Sequence, residues 1–559
     1  MMMLKNSLII FFLFVWSSQL QALDSVLPNQ HAIATAHPMA TEAGFEILNK
    51  GGNAFDAAVA VSATLAVVEP YSSGIGGGGF WLLQQAGSHK PVMIDGREKA
   101  PLAATRNMYQ DEQGNVIPGL SVDGPLAAGI PGEPAALVYI SQHYGKLPLS
   151  ISLAPAIRAA NNGFKVTPHY QRMAKFRLKA LQASPAAAKI FLKNNKVPEP
   201  GYVIRQPDLA NTLKLIAQKG HAGFYQGEVA SKLVNGIRKA GGIWQQKDFE
   251  QYQVATRKPV VGEYQGYRIT SAAPPSSGGI ALMTMLNILS GYEVAHYQPI
   301  KRTHVIVEAM RRAYRDRAKF LGDTDFVKVP VKSLISEKYG YSLRRTINTR
   351  KATPSSSLGG VADTSGGNHT THFSILDKQG NRVAATLSIN YSFGSGFMPE
   401  GTGVLLNDEM DDFSAKPGVP NVYGLIGAEA NAIEPGKRML SSMSPTFVED
   451  DSRLAILGTP GGSRIITMVL HGILGVVENK TAQQIVRQPR FHHQFLPDVI
   501  QYEKGAFTDD TMAELQFMGH QLKELDNTYG NMQVVIWNKR SQTLDAASDP
   551  RGEGLAKIQ

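Results

Sequence analysis

The chain has 559 residues, of which 43% are hydrophobic and 18% charged, and its formal net charge is +10. This composition supplies enough apolar side chains for a large core and excludes an intrinsically disordered protein. The absence of cysteine excludes disulfide bonds, thiolate metal sites and a lipid-modified cysteine. Because lysine and arginine are spread along the chain, we expect no nucleic-acid partner.

The first residues have the pattern of a secretory signal peptide. Lys5 precedes an apolar run from Leu8 to Trp16, and small and polar residues follow as far as Ala22. The run is shorter than the roughly 20 residues that cross a bilayer. We therefore expect residues 1–22 to be removed and the protein to be periplasmic or secreted, without a stable membrane anchor. An uncleaved anchor is the alternative.

A helix and a glycine run come next in the chain. Asn53 and Asp56 are spaced as a capping box, and residues 57–68 are apolar on nearly all faces, which predicts a buried helix. The glycine run Gly74–Gly79 matches the dinucleotide-binding pattern. That pattern requires a strand before the glycines and a helix after them, whereas here the predicted order is reversed. Close backbone packing is the favoured interpretation, followed by strands at 80–84 and 91–95.

Residues 145–350 are predicted to be mostly helical. Their densest basic stretch, residues 301–319, mixes basic and apolar residues at helical spacing. We interpret it as a helix with a solvent-exposed basic face, which would also attract an acidic ligand. Residues 354–368 are rich in proline, serine and glycine and predict an exposed loop, either an interdomain linker or the approach to a processing site.

A β-hairpin is predicted directly after this loop. Residues 372–377 and 382–390 alternate in polarity around a turn at 378–381. Pairing about the turn places Thr370 opposite residues 388–390, and alternation puts Thr386, Ser388 and Asn390 on one face. A polar row beside Thr370 is typical of an active-site wall, and equally of a half-exposed strand.

A second glycine cluster, residues 458–463, follows a predicted strand at 454–457. Such glycines either present backbone N–H groups to an anion or form an ordinary turn. His492 and His493 are adjacent and would point to opposite faces of a strand, so we do not expect them to bind a metal together. We expect no metal and no cofactor.

Taken together, these segments resemble the γ-glutamyltranspeptidase family. The resemblance covers nearly the whole chain after residue 22, and its motifs occur in the family's order. The segments that carry it are Asn49–Asp56, Val68–Gly79, Asp95–Glu98, Pro274–Gly279, Leu321–Asp325, Thr370–Ser374, Asn407–Asp412, Leu440–Thr446, Pro460–Arg464 and Pro489–His493.

The resemblance implies the fold and the maturation of the chain. The fold is α+β, a four-layer αββα sandwich of two antiparallel sheets, as in N-terminal-nucleophile hydrolases. The precursor cleaves itself between His369 and Thr370, giving a large subunit of residues 23–369 and a small catalytic subunit of residues 370–559. The two subunits form one heterodimeric αββα unit.

The resemblance also implies γ-glutamyl transfer from glutathione and related donors to water, amino acids or dipeptides. Thr370 is the nucleophile and its free α-amino group the base, Ser388 contacts the nucleophile, and the N–H groups of Gly461 and Gly462 bind the oxyanion. The substrate-binding residues are Arg97, Ser441 and Ser442 for the α-carboxylate, Asn390, Glu409 and Asp412 for the α-ammonium, and Tyr423 in a lid loop at residues 417–426.

Some positions differ from the commonest family pattern. Ser388 replaces threonine, Glu409 is glutamine in some relatives, and Gly96 replaces a frequent aromatic residue, which predicts a looser wall of the donor pocket. Three alternatives remain: a glutaryl-accepting cephalosporin acylase, a polyglutamate-cleaving relative and an unprocessed binding protein. The ammonium acceptors disfavour the first, the lid loop the second, and the intact nucleophile, glycines and Arg97 the third.

Overall fold

The computed structural model describes residues 27–88, 90–359, 370–419, 421 and 427–559. The predicted signal peptide, His369 and Tyr423 lie outside these ranges. No helix within them is both long and apolar enough to cross a membrane.

The helices are α1 Pro38–Asn49, α2 Ala54–Val68, α3 Glu133–Tyr144, α4 Leu149–Asn162, α5 Pro168–Phe176, α6 Leu178–Ala183, α7 Pro185–Phe191, α8 Pro207–Lys219, α9 Ala222–Tyr225, α10 Gly227–Lys239, α11 Gln246–Glu250, α12 Gly278–Leu289, α13 Pro299–Phe320, α14 Val331–Leu334, α15 Glu337–Arg344, α16 Ile465–Val477, α17 Ala482–Arg487 and α18 Asp509–Phe517. Short 3₁₀ helices span Pro125–Ala127, Val294–His296, Ser355–Leu358, Glu409–Asp412, Glu429–Asn431 and Gly462–Arg464.

The strands are β1 Ala32–Thr35, β2 Gly78–Gln84, β3 Val92–Gly96, β4 Phe164–Lys165, β5 Val203–Ile204, β6 Ala255–Arg257, β7 Val260–Tyr264, β8 Tyr267–Ser271, β9 Thr371–Leu376, β10 Arg382–Ser388, β11 Thr446–Glu449, β12 Arg453–Gly458, β13 Phe491–His492, β14 Ile500–Tyr502, β15 Leu522–Glu524, β16 Gln533–Asn538, β17 Thr543–Ser548 and β18 Leu555–Ile558.

Two antiparallel sheets form the centre of the molecule. In the described chain, the first has the order β18-β1-β9-β10-β2-β3-β6 and the second the order β17-β16-β12-β11-β8-β7. Apolar side chains such as Leu82, Leu376, Phe447 and Val535 fill the space between them. Helices including α1–α4 cover the first sheet, and α12, α13, α16 and α17 cover the second. This is the predicted αββα sandwich, which is confirmed.

Both local predictions near the glycine run are confirmed. Asn53 and Asp56 form a capping box at the start of α2, which is buried along its whole length. A Cβ atom on Gly76 would lie 2.0 Å from the Leu405 carbonyl oxygen, and one on Gly77 would lie 2.2 Å from that of Ser388. The run therefore consists of glycines because backbones pack against it, and β2 follows it as expected.

The basic stretch of α13 differs from its prediction. Arg311, Arg312 and Arg317 are buried, with side chains at most 5% exposed. Arg312 pairs with Glu308 at 2.6 Å, and Arg311 pairs with Asp498. The interpretation as a solvent-exposed face is wrong for these three arginines, because Glu308 of the same helix and acidic and hydroxyl partners from distant segments stabilise them inside the molecule.

The middle of the chain is mostly helical, as predicted, but strands β6, β7 and β8 were not expected. They are three to five residues long, and β6 and β7 lie at the edges of the two sheets. Edge strands are partly exposed on both faces, so their sequences lack the clean alternation that identifies a half-buried strand.

Candidate active site

Thr370 lies at the start of an interior strand of the first sheet. It directly precedes β9, which pairs with β1 on one side and β10 on the other. Thr371 is opposite Leu387, so Thr370 falls beside Ser388, as the hairpin predicted. The Thr370 side chain is 6% exposed. The short turn at residues 378–381 and the alternation of the two strands predicted this register, because a shift by one residue would turn every side chain to the opposite face of the sheet.

The chain turns sharply after Ser388. Asn390 has φ of 70°, a left-handed conformation that asparagine tolerates better than most residues. Its backbone N–H donates to the Ser388 hydroxyl at 2.8 Å, and its side-chain amide donates to the Asp408 carbonyl oxygen at 3.0 Å. Asp408 also accepts from the Tyr391 N–H at 2.8 Å. The turn therefore brings Asn390 against the 3₁₀ helix that carries Glu409 and Asp412.

Arg97 stands at the end of β3 and is 1% exposed. Its guanidinium donates to Glu409 Oε2 and Asp412 Oδ2, both at 2.5 Å. Its Nε donates to the Met439 carbonyl oxygen at 3.3 Å. Each contact restricts a different edge of the planar guanidinium, so its orientation is well defined before any substrate binds.

The acidic groups around Arg97 outnumber it. Glu98 lies 3.4 Å from the Arg97 guanidinium, and burial raises the pKa of Glu98 well above its usual value, with Glu409 adding to the rise. Burial raises the pKa of Glu409 to about 7, although Arg97 opposes this. One oxygen of Glu409, Oε1, is buried without a hydrogen-bond partner in the described structure. The site is therefore suited to accept one more cation.

Gly96 does not loosen the wall of this pocket. A Cβ atom on Gly96 would lie 2.8 Å from the Ala136 Cβ and 2.9 Å from the Trp81 ring. The expectation of a looser wall is wrong because Trp81, from the neighbouring strand β2, occupies the adjoining space.

Ser441 and Ser442 lie on a loop held from behind by Ser277 and Arg317. The Ser277 hydroxyl donates to the Ser441 carbonyl oxygen at 2.7 Å. Arg317 donates through Nε to the Ser277 hydroxyl at 3.0 Å and through Nη2 to the Ser442 hydroxyl at 3.3 Å. Because Ser442 accepts this bond, its own proton is free to be donated elsewhere. Burial lowers the pKa of Arg317, which makes no salt bridge within the described ranges.

The loop after β12 presents two backbone donors. Gly461 and Gly462 have φ of 145° and 54°, conformations that favour glycine. Neither N–H donates to another residue in the described parts of the chain. The Tyr314 hydroxyl, from α13, donates to the Ser463 carbonyl oxygen and fixes the loop against the helix layer. The arrangement can stabilise an anion with donors that need no rearrangement.

These residues meet in two cavities that share Thr370. The first has a free volume of about 20 Å³ and is lined by Arg97, Thr370, Ser388, Asn390, Glu409, Asp412, Ser441, Ser442, Met443, Gly462 and Ile465. The second has about 530 Å³, and its lining includes Glu69, Arg172, Thr370 and Gly461. The first cavity thus contains every described candidate site residue except Gly461, which lies on the other side of the same loop.

Several residues of the site were missed by sequence reasoning. Arg317 lies on α13 and Ser277 directly precedes α12, both far from Ser442 in sequence, and the sequence gave no signal of a contact between them and this serine. Asp408 lies inside the recognised segment Asn407–Asp412, yet only its buried contacts with Asn390 and Tyr391 show its part in shaping the turn.

One group of metal-ligand side chains occurs within the described ranges: His304, Glu308 and His520, with ligand atoms within 4.8 Å of one another. His304 already bonds His520 at 2.8 Å and the Asn348 carbonyl oxygen at 2.8 Å, while Glu308 accepts from Arg312 and Thr353. These contacts and the two arginines of α13 disfavour a cation at this position.

Comparison with known proteins places the chain in a family. The family model for γ-glutamyltranspeptidase matches residues 40–558. The glutathione hydrolase proenzyme of Pseudomonas sp. (strain A14) is 46% identical over 87% of this chain and 85% of its own length, and that of Escherichia coli (strain K12) is 40% identical over 94% and 91%. The crystal structure of cephalosporin acylase from Bacillus halodurans superimposes with a TM-score of 0.83 at 27% identity, covering 95% of this chain and 96% of that one. The chain belongs to the γ-glutamyltranspeptidase family.

Proposed function

We propose that this protein is a γ-glutamyltransferase and glutathione hydrolase that matures by cutting itself between His369 and Thr370. The observation that carries the proposal is the position of Thr370 in one cavity with Arg97, with the acceptors Asn390, Glu409 and Asp412, and with Gly462 of the glycine loop. Two relatives are named glutathione hydrolase proenzymes, and this name supports both the activity and the self-processing.

Maturation generates the catalytic base. The Thr370 hydroxyl attacks the carbonyl carbon of His369, the peptide bond breaks, and water hydrolyses the resulting ester. The products are a large subunit of residues 23–369 and a small subunit that begins at Thr370. An α-amino group has a pKa of about 8 in its reference state, close to the working pH of a general base. Thr370 then supplies both the nucleophile and its proton acceptor.

Donor binding uses the charges of the first cavity. The α-ammonium of the γ-glutamyl group meets Asn390, Glu409 and Asp412, and the α-carboxylate meets Arg97, Ser441 and Ser442. Because the free volume is about 20 Å³, the contacts of Arg97 with Glu409 and Asp412 must rearrange as the glutamyl group enters. The incoming ammonium compensates these carboxylates, which releases part of the guanidinium for the carboxylate of the donor.

Acyl transfer then takes place at Thr370. Its hydroxyl attacks the γ-carbonyl carbon, and the N–H groups of Gly461 and Gly462 bind the oxyanion, each donor contributing about 3 kcal/mol. Collapse expels the amine and leaves a γ-glutamyl ester on Thr370. Water releases glutamate, and an amino acid or dipeptide gives a new γ-glutamyl amide. Ser388, beside Thr370, orients the nucleophile.

The proposal also includes the export of the protein and the association of its two subunits. The signal-peptide pattern supports removal of residues 1–22 and a periplasmic or secreted location. Strands on both sides of the cleavage point share each sheet: β9 and β10 lie between β1 and β2 in the first. Cleaved subunits interleaved in this way remain together as a heterodimer, because separation would expose both cores.

An acylase is the second candidate, since a cephalosporin acylase superimposes over nearly the whole chain. The donors of the two activities differ in one chemical group, because a glutaryl donor has the carboxylate but lacks the α-ammonium. Burial raises the pKa of Glu409, and its Oε1 has no hydrogen-bond partner within the described residues; both features favour a donor that brings a cation.

The test combines maturation and donor choice. N-terminal sequencing of the purified protein is expected to show a polypeptide beginning Thr-Thr-His-Phe, whereas Thr370→Ala stays full-length and inactive. The wild-type protein should hydrolyse a γ-glutamyl anilide about a hundredfold or more faster, in kcat/KM, than the matching glutaryl anilide. Equal rates on the two anilides would make the protein an acylase, and an uncut active protein would refute the mechanism.

A further inference from the structure

The segment that follows β10 has an unusual backbone. Asn390, Phe393 and Gly394 have φ of 70°, 58° and 52°, a left-handed conformation that is unfavourable for residues other than glycine. Ser392 and Phe393 are fully buried, so the carbonyl groups of this segment require hydrogen-bond partners inside the protein. A backbone of this kind persists only where the surrounding residues hold it in place.

Arg177, at the junction of α5 and α6, holds this segment through two of its carbonyl groups. The Arg177 side chain is 7% exposed. Its Nε donates to the Ser392 carbonyl oxygen at 2.8 Å, and its Nη2 donates to the Gly394 carbonyl oxygen at 2.7 Å. The guanidinium carbon lies 5.1 Å from the centre of the Tyr391 ring. Because the guanidinium is planar and rigid, the two bonds fix the positions of both carbonyl groups relative to each other.

Asp408 holds the same segment through two of its nitrogen atoms. The Asp408 carboxylate accepts from the Tyr391 N–H at 2.8 Å, and the Asp408 carbonyl oxygen accepts from the Asn390 side-chain amide at 3.0 Å. Burial raises the pKa of Asp408 well above its usual value, and the charge of Arg177 is the strongest effect in the opposite direction. Arg177 therefore also favours the ionised carboxylate that binds the Tyr391 N–H.

Arg177 itself lies outside the donor pocket. Within the described residues it lines neither of the two cavities beside Thr370, and its charge is compensated by Asp123 at 2.7 Å. The segment that it holds carries Asn390, which lines the first cavity and whose backbone N–H donates to the Ser388 hydroxyl at 2.8 Å. We therefore expect an effect of Arg177 on the donor to pass through this segment.

We propose that Arg177 is a positioning residue for donor choice, which fixes Asn390 as an acceptor of the donor's α-ammonium through its two bonds to the segment. This inference rests on the proposed function. Without these bonds, two buried carbonyl groups lose their donors and the left-handed turn relaxes, which misplaces Asn390 relative to Glu409 and Asp412. A glutaryl donor lacks the α-ammonium and does not use Asn390, so its reaction should be nearly insensitive to Arg177.

The experiment compares the matured wild-type protein with three single variants, using a γ-glutamyl anilide and the matching glutaryl anilide as donors and water as the acceptor. Arg177→Met keeps the length of the side chain and removes every hydrogen-bond donor. Arg177→Lys keeps the charge, but one ammonium group cannot reproduce the two bonds of a guanidinium. Arg158→Met is the control, because Arg158 is an exposed arginine of the preceding helix α4 that pairs with Glu46.

The preference for the γ-glutamyl donor, measured as a ratio of kcat/KM values, should fall about tenfold in Arg177→Met, mainly through a higher donor KM, because a misplaced acceptor binds the ammonium less well. Arg177→Lys should lose about threefold of this preference, and Arg158→Met should lose none of it. The kcat/KM for the glutaryl donor should stay within about twofold in all variants, whereas general damage to the fold would lower both reactions alike.

A double-mutant cycle with Asn390→Ala tests the route of the effect. Because Arg177 acts through Asn390, Arg177→Met should cause no further loss of donor preference in the Asn390→Ala protein. Additive losses, or an unchanged preference in Arg177→Met, would overturn the proposal. If Arg177→Met fails to mature, Arg177→Lys decides, and an unchanged preference in that variant would overturn the proposal equally. A wild-type protein without any preference for the γ-glutamyl donor would instead refute the proposed function.

Discussion

The two cavities that meet at Thr370 differ in free volume and in how their charges are compensated. The first is nearly closed, with about 20 Å³ free, and its single cation is compensated by Glu409 and Asp412. The second is about 530 Å³ and is lined in part by Arg172, which forms no ion pair within the described residues. A nearly closed, charge-compensated pocket discriminates sharply, because a ligand that lacks one group leaves buried charges unpaired. A wide cavity restricts its occupant less, so we expect the first cavity to impose a strict choice of donor.

The comparison predicts that substitutions in and behind the first cavity change donor kinetics. The largest effect is expected for Arg97→Ala. Removal of a buried guanidinium that binds two carboxylates should weaken the binding of the donor in the transition state by about 3–4 kcal/mol. The kcat/KM for the γ-glutamyl anilide should therefore fall about 100- to 1,000-fold, mainly through the donor KM. Arg106→Ala, at an exposed arginine paired with Glu429, is the control. Unchanged donor kinetics in a matured Arg97→Ala protein would remove Arg97 from the site.

A smaller effect is expected for Arg317→Met, which keeps the length of the side chain but removes the donors to Ser277 and Ser442. Without this bond Ser442 is no longer held as a donor toward the carboxylate of the substrate. The donor KM should rise about tenfold with little change in kcat, equivalent to about 1.4 kcal/mol. Arg317→Lys should recover part of the loss, and Arg315→Met, at a half-buried neighbour, should not raise the KM. An unchanged donor KM in a matured Arg317→Met protein would contradict this role of Arg317.

The smallest effect concerns the pH dependence of glutamate binding, which follows the ionisation of Glu409. Burial raises its pKa to about 7, so the free enzyme loses the charged form as the pH falls through 7, and with it an acceptor for the ammonium. The inhibition constant of glutamate should therefore increase severalfold between pH 8 and pH 6. Glu409→Gln should flatten this profile, and Glu429→Gln, at an exposed carboxylate, should keep it. A flat wild-type profile would show that Glu409 stays ionised beside Arg97.

The fold around the nucleophile was largely predictable. The capping box of α2, the strand after the glycine run and the register of β9 with β10 all follow from local patterns. These features depend on neighbours within a few residues, so the sequence contains the information directly. The short edge strands β6 and β7 were not predictable, because mixed exposure removes the alternation that marks a strand.

The candidate site was predictable only in part. Family motifs identified Thr370, Arg97, the acidic residues and the glycine loop, and the structure brings them around one nucleophile. They gave no indication of Arg317 behind Ser442, or of Glu69 and Arg172 in the second cavity, since each of these contacts joins segments far apart in the chain.

The sequence by itself determined the family, the order of the catalytic motifs and the pairing that places Thr370 beside Ser388, because motif identity and strand alternation are local properties. Only the tertiary structure decided that arginines of α13 are buried, that Arg97 is compensated by Glu409 and Asp412, and that a second cavity adjoins the nucleophile. The physical reason is that burial and charge pairing depend on which distant segments pack together, and local patterns do not specify that packing.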